Sequence, residues 1–252
     1  MPTATAIERH REALMSFARL TGAGGERSSV IERDGIVASI SPSVPDRSIV
    51  YSVAYRDADS LAVAIHDLAA AYDDAGVRAW TVWAPEPDRD AAALLNAAGH
   101  RLDGEPTAMV AALSELPEPD DDDLDWDVCA PPETIARIND AAYGLGAIFD
   151  SAITGFGAID GVRLYQARVD ADPVCVLATY DNRDDCEIYF VATLAEHRGK
   201  SLARRLLHRA LLEARDRGLA TSSLQATQMG YPVYARLGYE PICRLQMWER
   251  LK

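Results

Sequence analysis

The sequence of 252 residues repeats one order of predicted helices and strands. A Ser-Leu-Ala triplet starts at Ser60 and again at Ser201, and the helices that follow end before Gly76 and Gly218. Equivalent positions lie 139 to 142 residues apart. A repeat of this kind indicates a duplicated supersecondary unit, although two amphipathic helices could also match by chance. We therefore expect an α/β fold, with mixed sheets, made of two tandem units.

A proline-rich acidic segment separates the two copies. Between Glu115 and Asp127, eight of thirteen residues are acidic, and they account for much of the net charge of -14. Prolines interrupt helices, and adjacent carboxylates repel one another and stay solvated. We therefore predict a first domain at 1–116, an acidic linker at 117–124 and a second domain at 125–252.

Apolar periodicity predicts the elements of both domains. In the second domain it predicts helices at 132–143, 202–217 and 231–237, and a last strand at 242–248 that closes the second sheet. The first domain shows a weaker copy of this order, with helices at 7–20, 61–75 and 91–98 and a last strand at 107–113.

Composition excludes several classes of function. The acidic balance argues against a nucleic-acid partner, because phosphate neutralisation needs a basic face. The four cysteines form no CxxC pair and no Cys/His metal pattern, so neither a disulfide framework nor a metal is expected. With no signal peptide and no apolar run of membrane-spanning length, we predict a cytoplasmic protein. The sequence leaves a homodimer open.

The segment with the clearest chemistry reads EIYFVATLAEHRGKSLA, from Glu187 to Ala203. It predicts a strand, a short basic loop and the start of a helix. The first N–H groups of a helix lack intrahelical acceptors and carry the positive end of the helix dipole, so they suit an anion such as pyrophosphate. Gly199 allows close backbone approach, and Arg198 and Lys200 add positive charge. A solvated cluster of charges is the alternative.

This segment resembles motif A of the GNAT acetyltransferase superfamily, whose loop reads Arg/Gln-x-x-Gly-x-Gly/Ala. Arg198 and Ala203 match its first and last positions, but Ser201 stands where glycine is usual. A second stretch, from Leu224 to Tyr239, resembles the end of motif B of the family. The resemblance covers most of residues 125–252.

The resemblance implies that acetyl-CoA lies in a gap between two splayed central strands. Backbone groups of Val191 and Thr193 would then hold the pantetheine arm. The family's pyrophosphate contacts would fall on the amides of the loop and the helix start, together with the charged side chains there. These residues are Arg198, Gly199, Lys200, Ser201, Leu202 and Ala203.

The resemblance also implies catalytic roles. Tyr234 stands where many family members place the acid that protonates the departing thiolate, and an aromatic packed in the core is the alternative. Glu187 stands where several place a general base, and a solvated glutamate at a strand end is the alternative. Other candidates for the base are Asp150, Tyr143 and Tyr189. We expect His197 and His208 to be surface or packing residues.

The first copy lacks these features. Asp57 and Asp59 stand opposite Arg198 and Lys200, where two carboxylates would repel pyrophosphate. Leu95 stands opposite Tyr234. We therefore predict that the first domain is a degenerate GNAT unit with a structural role.

Three functions fit the second domain. The first is acetyl transfer from acetyl-CoA to a primary amine of a small molecule or peptide. The second is a non-catalytic acyl-CoA sensor that uses the same pocket, and the third is a transferase that modifies a protein amine. The acceptor loops are predicted at 144–161, where Leu145, Ile148, Phe149 and Phe156 indicate a partly apolar pocket. The acyl-chain length stays open.

Overall fold

The structure is a computed structural model that describes residues 3–25, 28–41, 50–118, 123–144, 146 and 148–251. It divides into two compact units, which are described separately. Unit 1 comprises residues 1–108 and 242–252, and unit 2 comprises residues 109–241. The middle of the acidic linker, at 119–122, lies outside the described residues. Within the described residues, no helix is long and apolar enough to cross a membrane.

Unit 1 is a mixed sheet with three helices. Its helices are α1 (Thr3–Ala23), α2 (Ala58–Asp74) and α3 (Arg89–Ala97). Its strands are β1 (Ser29–Arg33), β2 (Ile36–Ile40), β3 (Ser52–Tyr55), β4 (Ala79–Pro85), β5 (Arg101–Gly104), the first residues of β6 (Thr107–Ala112) and most of β12 (Glu240–Leu251). The sheet runs in the order β1, β2, β3, β4 and β12, and β5 also pairs with β12. Only β3 and β4 are parallel among these pairs.

His10 is a buried titratable group of α1. Its side chain is fully buried, and neither ring nitrogen has a hydrogen-bond partner among the described residues. Burial lowers the pKa of His10 to about 4. An imidazole in the unfolded chain titrates near ~6.5, so the unfolded state binds a proton first as the pH falls. This difference reduces the free energy of unfolding by up to about 3 kcal/mol between pH ~6.5 and ~4.

We expect the substitution His10→Leu to remove this part of the acid sensitivity. Leucine has a similar size and leaves no buried ring nitrogen without a partner, so stability at neutral pH should be retained. Urea unfolding followed across this pH range measures the effect. The control is His66→Gln at an exposed position of α2, which retains His10 and should keep the acid slope of the wild type. An unchanged slope in His10→Leu would contradict the assignment.

Unit 2 is a second mixed sheet with helices around it. Its helices are α4 (Pro132–Tyr143), α5 (Asp150–Ile153), α6 (Leu202–Asp216) and α7 (Tyr231–Ala235). Its strands are the rest of β6, β7 (Asp125–Asp127), β8 (Val162–Val169), β9 (Asp172–Asn182), β10 (Asp185–Thr193) and β11 (Thr221–Ala226). The strand order is β6, β11, β10, β9, β8 and β7. β10 and β11 run parallel, whereas β7 to β10 form an antiparallel meander.

The apolar stripe of α6 forms much of the core of unit 2. The buried positions of the helix recur every three or four residues, as the sequence predicts. They are Leu202, Leu206, Leu207, His208, Ala210, Leu211 and Ala214. The apolar members pack in one cluster with Cys186 and Ile188 of β10 and Leu224 of β11. This packing sets the first turn of α6 beside the end of β10.

The division of the chain differs from the sequence-based boundaries at both ends. The strand predicted to close the second sheet is β12, which instead pairs with β4 and β5 in unit 1. The last strand predicted for the first domain is β6, and its residues from Met109 onward belong to unit 2 beside β11. Main-chain hydrogen bonds join strands whatever their side chains, so the sequence pattern could not assign either strand to its sheet. The pattern also missed β5 and α5.

Candidate active site

The two central strands of unit 2 separate along their length. β10 and β11 pair only from Asp185 to Glu187, opposite Thr221 to Ser223. β10 then continues to Thr193 and β11 to Ala226. Beyond Glu187 and Ser223 the two strands no longer pair with each other. Such a gap can accept an extended ligand as an additional strand would.

A β-bulge lies where the strands begin to separate. The register of β10 against β9 shifts between Tyr189 and Ala192, so β10 contains one extra residue there. Phe190 has a φ of 53°, which is unusual for a bulky residue. Because side chains alternate between faces, one extra residue reverses the faces of all the residues that follow. The bulge therefore decides which groups of the end of β10 face the gap.

A pocket of about 330 Å³ lies between the end of β10, the start of α6 and the connection from β11 to α7. It brings together most of the predicted ligand-binding residues: Val191, Thr193, Arg198, Gly199, Ser201, Leu202, Ala203 and Tyr234. Lys200 is exposed and, like Glu187, is not among the described residues that line the pocket.

The loop before α6 leaves the start of the helix open. Gly199 and Ser201 have φ values of 78° and 57°, both in the left-handed region. Ser201 is the N-cap of α6, and its side chain makes no capping hydrogen bond. The first N–H groups of α6 are therefore available to an anion. The backbone conformation also explains why glycine would suit position 201.

We expect backbone strain to make the two left-handed positions respond in opposite directions. Gly199→Ala should lower the free energy of unfolding by about 1 kcal/mol, because alanine is strained there although nothing lies within 4 Å of its Cβ. Ser201→Gly should relieve the strain, and part of that gain is offset by the greater freedom of glycine in the unfolded chain. Urea unfolding measures both variants. A loss of stability in Ser201→Gly would contradict this interpretation.

Arg198 makes two hydrogen bonds that the sequence did not indicate. Its guanidinium donates hydrogen bonds to the Thr193 carbonyl at 3.2 Å and to the Ala142 carbonyl at 2.8 Å. Ala142 lies in the last turn of α4. Arg198 therefore ties the loop to both β10 and α4, and it places a positive charge at the pocket wall. The sequence indicated the charge but not these two carbonyls.

Tyr234 lies on α7 and lines the pocket with 8% of its surface exposed. Burial raises the pKa of Tyr234, with smaller contributions from Tyr143 and Cys175. The phenol therefore stays protonated at neutral pH. Gly230 leaves room for the ring, because a Cβ there would lie 2.9 Å from Cε2 of Tyr234.

Glu187 is buried rather than solvated, with 2% of its surface exposed. Its carboxylate accepts hydrogen bonds from the Tyr189 hydroxyl at 2.6 Å and from Nδ2 of Asn182 at 2.9 Å. It lies in the paired part of β10, opposite Ser223. Burial raises the pKa of Tyr189, and the neighbouring Glu187 carboxylate raises it further. The two residues therefore form a buried acid–phenol pair.

The other predicted candidates have different positions. Tyr143 and His197 line the pocket, and His208 is buried in α6. The side chain of Asp150 and residue Leu145 lie outside the described residues. Ile148, Phe149 and Phe156 are buried. Among the described residues, no group of three or more His, Cys, Asp or Glu side chains could hold a metal ion.

Sequence reasoning missed part of the pocket wall. Ala142 comes from the end of α4, and Val233 comes from α7. The others flank α7: Thr227, Met229 and Gly230 precede it, and Arg236 is its C-cap. The stretch from Leu224 to Tyr239 was recognised as a motif, but only Tyr234 was assigned to the site. Most of its other lining residues are small or apolar and carry no chemical signal that would have marked them.

In unit 1 the first turn of α2 is capped by a side chain. Asp57 is the N-cap, and its carboxylate accepts a hydrogen bond from the Ser60 amide at 2.8 Å. The backbone hydrogen bond from Ser60 lowers the pKa of Asp57. A carboxylate thus caps the N-terminal end of α2. The corresponding end of α6 in unit 2 has no side-chain cap. Leu95 of α3 is fully buried.

Comparisons with known proteins agree with this geometry. Residues 186–242 match a family model described as an acetyltransferase (GNAT) domain. Unit 2, which contains nearly all of the matched segment, therefore has a GNAT-type fold. No curated protein matches the chain.

Solved structures of GNAT proteins match nearly the whole chain. A GCN5-related N-acetyltransferase from Kribbella flavida has 19% identity and a TM-score of 0.69, covering 94% of this chain and 95% of its own. One from Sphaerobacter thermophilus has 15% identity and a TM-score of 0.61, with coverages of 96% and 93%. A tandem GNAT protein from the clavulanic acid biosynthesis pathway has 15% identity and a TM-score of 0.60, with coverages of 100% and 97%. At these identities the matches establish the fold.

Proposed function

We propose that unit 2 is a GNAT domain that transfers an acetyl group from acetyl-CoA to a primary amine of a small molecule or peptide. The observation that carries this proposal is the pocket between the end of β10, the start of α6 and α7. At one side of it, α6 begins with an uncapped turn, and Tyr234 lies in its wall. A diphosphate and a thioester could therefore bind in one continuous groove.

In this proposal acetyl-CoA follows the gap between β10 and β11. The amides from Gly199 to Ala203 bind the pyrophosphate, because they lie at the positive end of the α6 dipole. Backbone groups of Val191 and Thr193 bind the amides of the pantetheine arm. Lys200 contributes only distant charge, because its exposed side chain does not line the pocket.

The transfer proceeds by direct attack. A neutral amine attacks the thioester carbonyl, its C–N bond forms, and the C–S bond breaks as the CoA thiolate leaves. Tyr234 donates its phenolic proton to the departing sulfur. Because burial raises the pKa of Tyr234, the phenol is fully protonated before the reaction. Such an acid contributes about 10²–10⁴-fold to the rate.

Glu187 is the proposed final acceptor of the proton lost by the amine. Its carboxylate is buried and already accepts a hydrogen bond from Tyr189. The proton therefore reaches Glu187 through an intermediate group, either a water molecule or the Tyr189 hydroxyl. Transfer through Tyr189 would pass one proton to its oxygen and another from its oxygen to Glu187.

Unit 1 is proposed to be a degenerate copy with a structural role. The carboxylate of Asp57 already caps α2, so a phosphate at that end would meet both a filled hydrogen-bonding site and a negative charge. Leu95 is a buried apolar residue in α3 and cannot act as an acid.

An acceptor screen tests the proposed function. The full chain is mixed with acetyl-CoA and a panel of amines and peptides, and release of free thiol is monitored. We expect thiol release that depends on at least one primary amine. Binding of acetyl-CoA by calorimetry without release for any acceptor would favour the sensor function. Longer acyl-CoA donors in the same assay determine the chain-length preference.

A further inference from the structure

The bulge at Phe190 is held by one buried side chain from α4. Nδ2 of Asn139 donates a hydrogen bond to the Phe190 carbonyl at 3.0 Å and another to the Ile135 carbonyl at 2.9 Å. Asn139 is fully buried. The Ile135 bond is local to the helix, whereas the Phe190 bond joins residues that are 51 positions apart.

The carboxamide of Asn139 is costly for a purely structural residue. Its Oδ1 atom is buried and has no hydrogen-bond partner among the described residues. A buried polar atom without a partner costs about 1–3 kcal/mol, so an apolar side chain would serve packing better. Unlike an apolar side chain, the carboxamide can donate a hydrogen bond to the strained bulge. Asn139 contains a buried oxygen without a partner among the described residues, and Phe190 has a strained backbone. Such energetically unfavourable features are typical of functional sites.

The ring of Phe190 is fixed as well. It makes edge contacts with Phe149 and Phe156, with both pairs of ring centroids 5.6 Å apart. Asn139 holds the carbonyl of the same residue, so backbone and side chain are restrained from two directions. A bulge held in this way cannot slide along β10 without breaking one of these contacts.

The fixed bulge determines how the residues that follow it in β10 are oriented. Val191 and Thr193 line the pocket, and their orientation depends on the extra residue in β10. The same helix, α4, also accepts the hydrogen bond from Arg198 at Ala142. One helix therefore supports both the bulge and the loop before α6.

We propose that Asn139 is a positioning residue for acyl-CoA: it holds the Phe190 bulge so that the backbone of Val191 and Thr193 faces the ligand. This inference rests on the proposed function, because it assigns the ligand of that same pocket. Asn139 is not among the described residues that line the pocket, and in this proposal it acts through Phe190.

Two substitutions test this role. Asn139→Leu has a similar size and removes both the donor and the unpaired oxygen. Asn139→Ser keeps a hydroxyl that can bond within the helix but is too short to reach Phe190. The matched control is Tyr165→Phe, which removes the 2.8 Å hydrogen bond to Glu213 from another fully buried side chain of unit 2. Thermal unfolding identifies the variants that fold.

The readouts are the Kd for coenzyme A and amide hydrogen exchange at Val191 and Thr193 in the ligand-free protein. We expect both Asn139 variants to bind coenzyme A roughly tenfold more weakly and to exchange faster at these amides. Tyr165→Phe should keep the wild-type Kd and exchange rates even if it is less stable. Wild-type affinity in both folded Asn139 variants would overturn the proposal.

Hydrogen exchange separates this inference from the proposed function. If the wild-type protein does not bind coenzyme A, the proposed function fails, and exchange alone decides the role of Asn139 in the bulge. Faster exchange at Val191 and Thr193 in the variants would then still support positioning. Unchanged exchange would overturn it.

Discussion

Replacing Tyr234 with phenylalanine is expected to lower turnover by about 10²–10⁴-fold, the usual contribution of a general acid. The substitution removes only the hydroxyl. The ring keeps its edge contact with Tyr239, with centroids 6.0 Å apart, so the pocket wall should stay in place. The Kd for coenzyme A should therefore remain close to that of the wild type. Thiol release and calorimetry measure the two quantities separately.

Tyr231→Phe provides the matched control. Tyr231 lies on the same short helix and packs against the core of unit 2, but it is not among the described residues that line the pocket. This variant should turn over at the wild-type rate. Wild-type turnover in Tyr234→Phe, or an equal loss in both variants, would show that Tyr234 is not the acid.

Reversing the charge of Arg198 is expected to weaken coenzyme A binding by about 10²-fold. Arg198→Glu removes a positive charge from the pocket wall, where a hydrogen bond to a charged group is worth about 1.5–3 kcal/mol, and 1.4 kcal/mol corresponds to a factor of about ten in Kd. It also places a carboxylate beside the proposed phosphate site. The bonds to Thr193 and Ala142 hold the loop to β10 and α4, so their loss should also loosen the loop.

Two control variants test whether the effect comes from the change in net charge or from a site in unit 1. Arg215→Glu makes the same charge change at an exposed position in the last turn of α6. Asp57→Ala removes the carboxylate that caps α2 in unit 1. Both should leave the Kd for coenzyme A unchanged. An equal effect from Arg198→Glu and Asp57→Ala would contradict the division into a ligand-binding unit and a degenerate one.

Much of the fold follows from local sequence patterns. The helix predicted at 132–143 has those bounds in the structure, and the helix predicted at 202–217 ends within one residue of its prediction. Apolar periodicity identifies such elements because each must bury one face. The short β5 was missed because its four residues show no clear alternation of apolar and polar positions.

The predicted site residues come together mainly around the loop before α6. The loop residues and Tyr234 share one pocket, and motif spacing alone indicated them. The role of Asn139 was not visible in the sequence, because a single asparagine in an amphipathic helix carries no signal of its distant partner. The buried position of Glu187 could not be read either, since burial depends on the strands and helices around β10.

The sequence by itself determined the long helices, the basic loop before α6 and the acidic residues at the start of α2. They depend on interactions between residues close together in the chain. The tertiary structure alone decided which sheets β6 and β12 join, where β10 and β11 separate, and what holds the bulge at Phe190. These features depend on backbone hydrogen bonds and on contacts between distant residues, which no local pattern of side chains specifies.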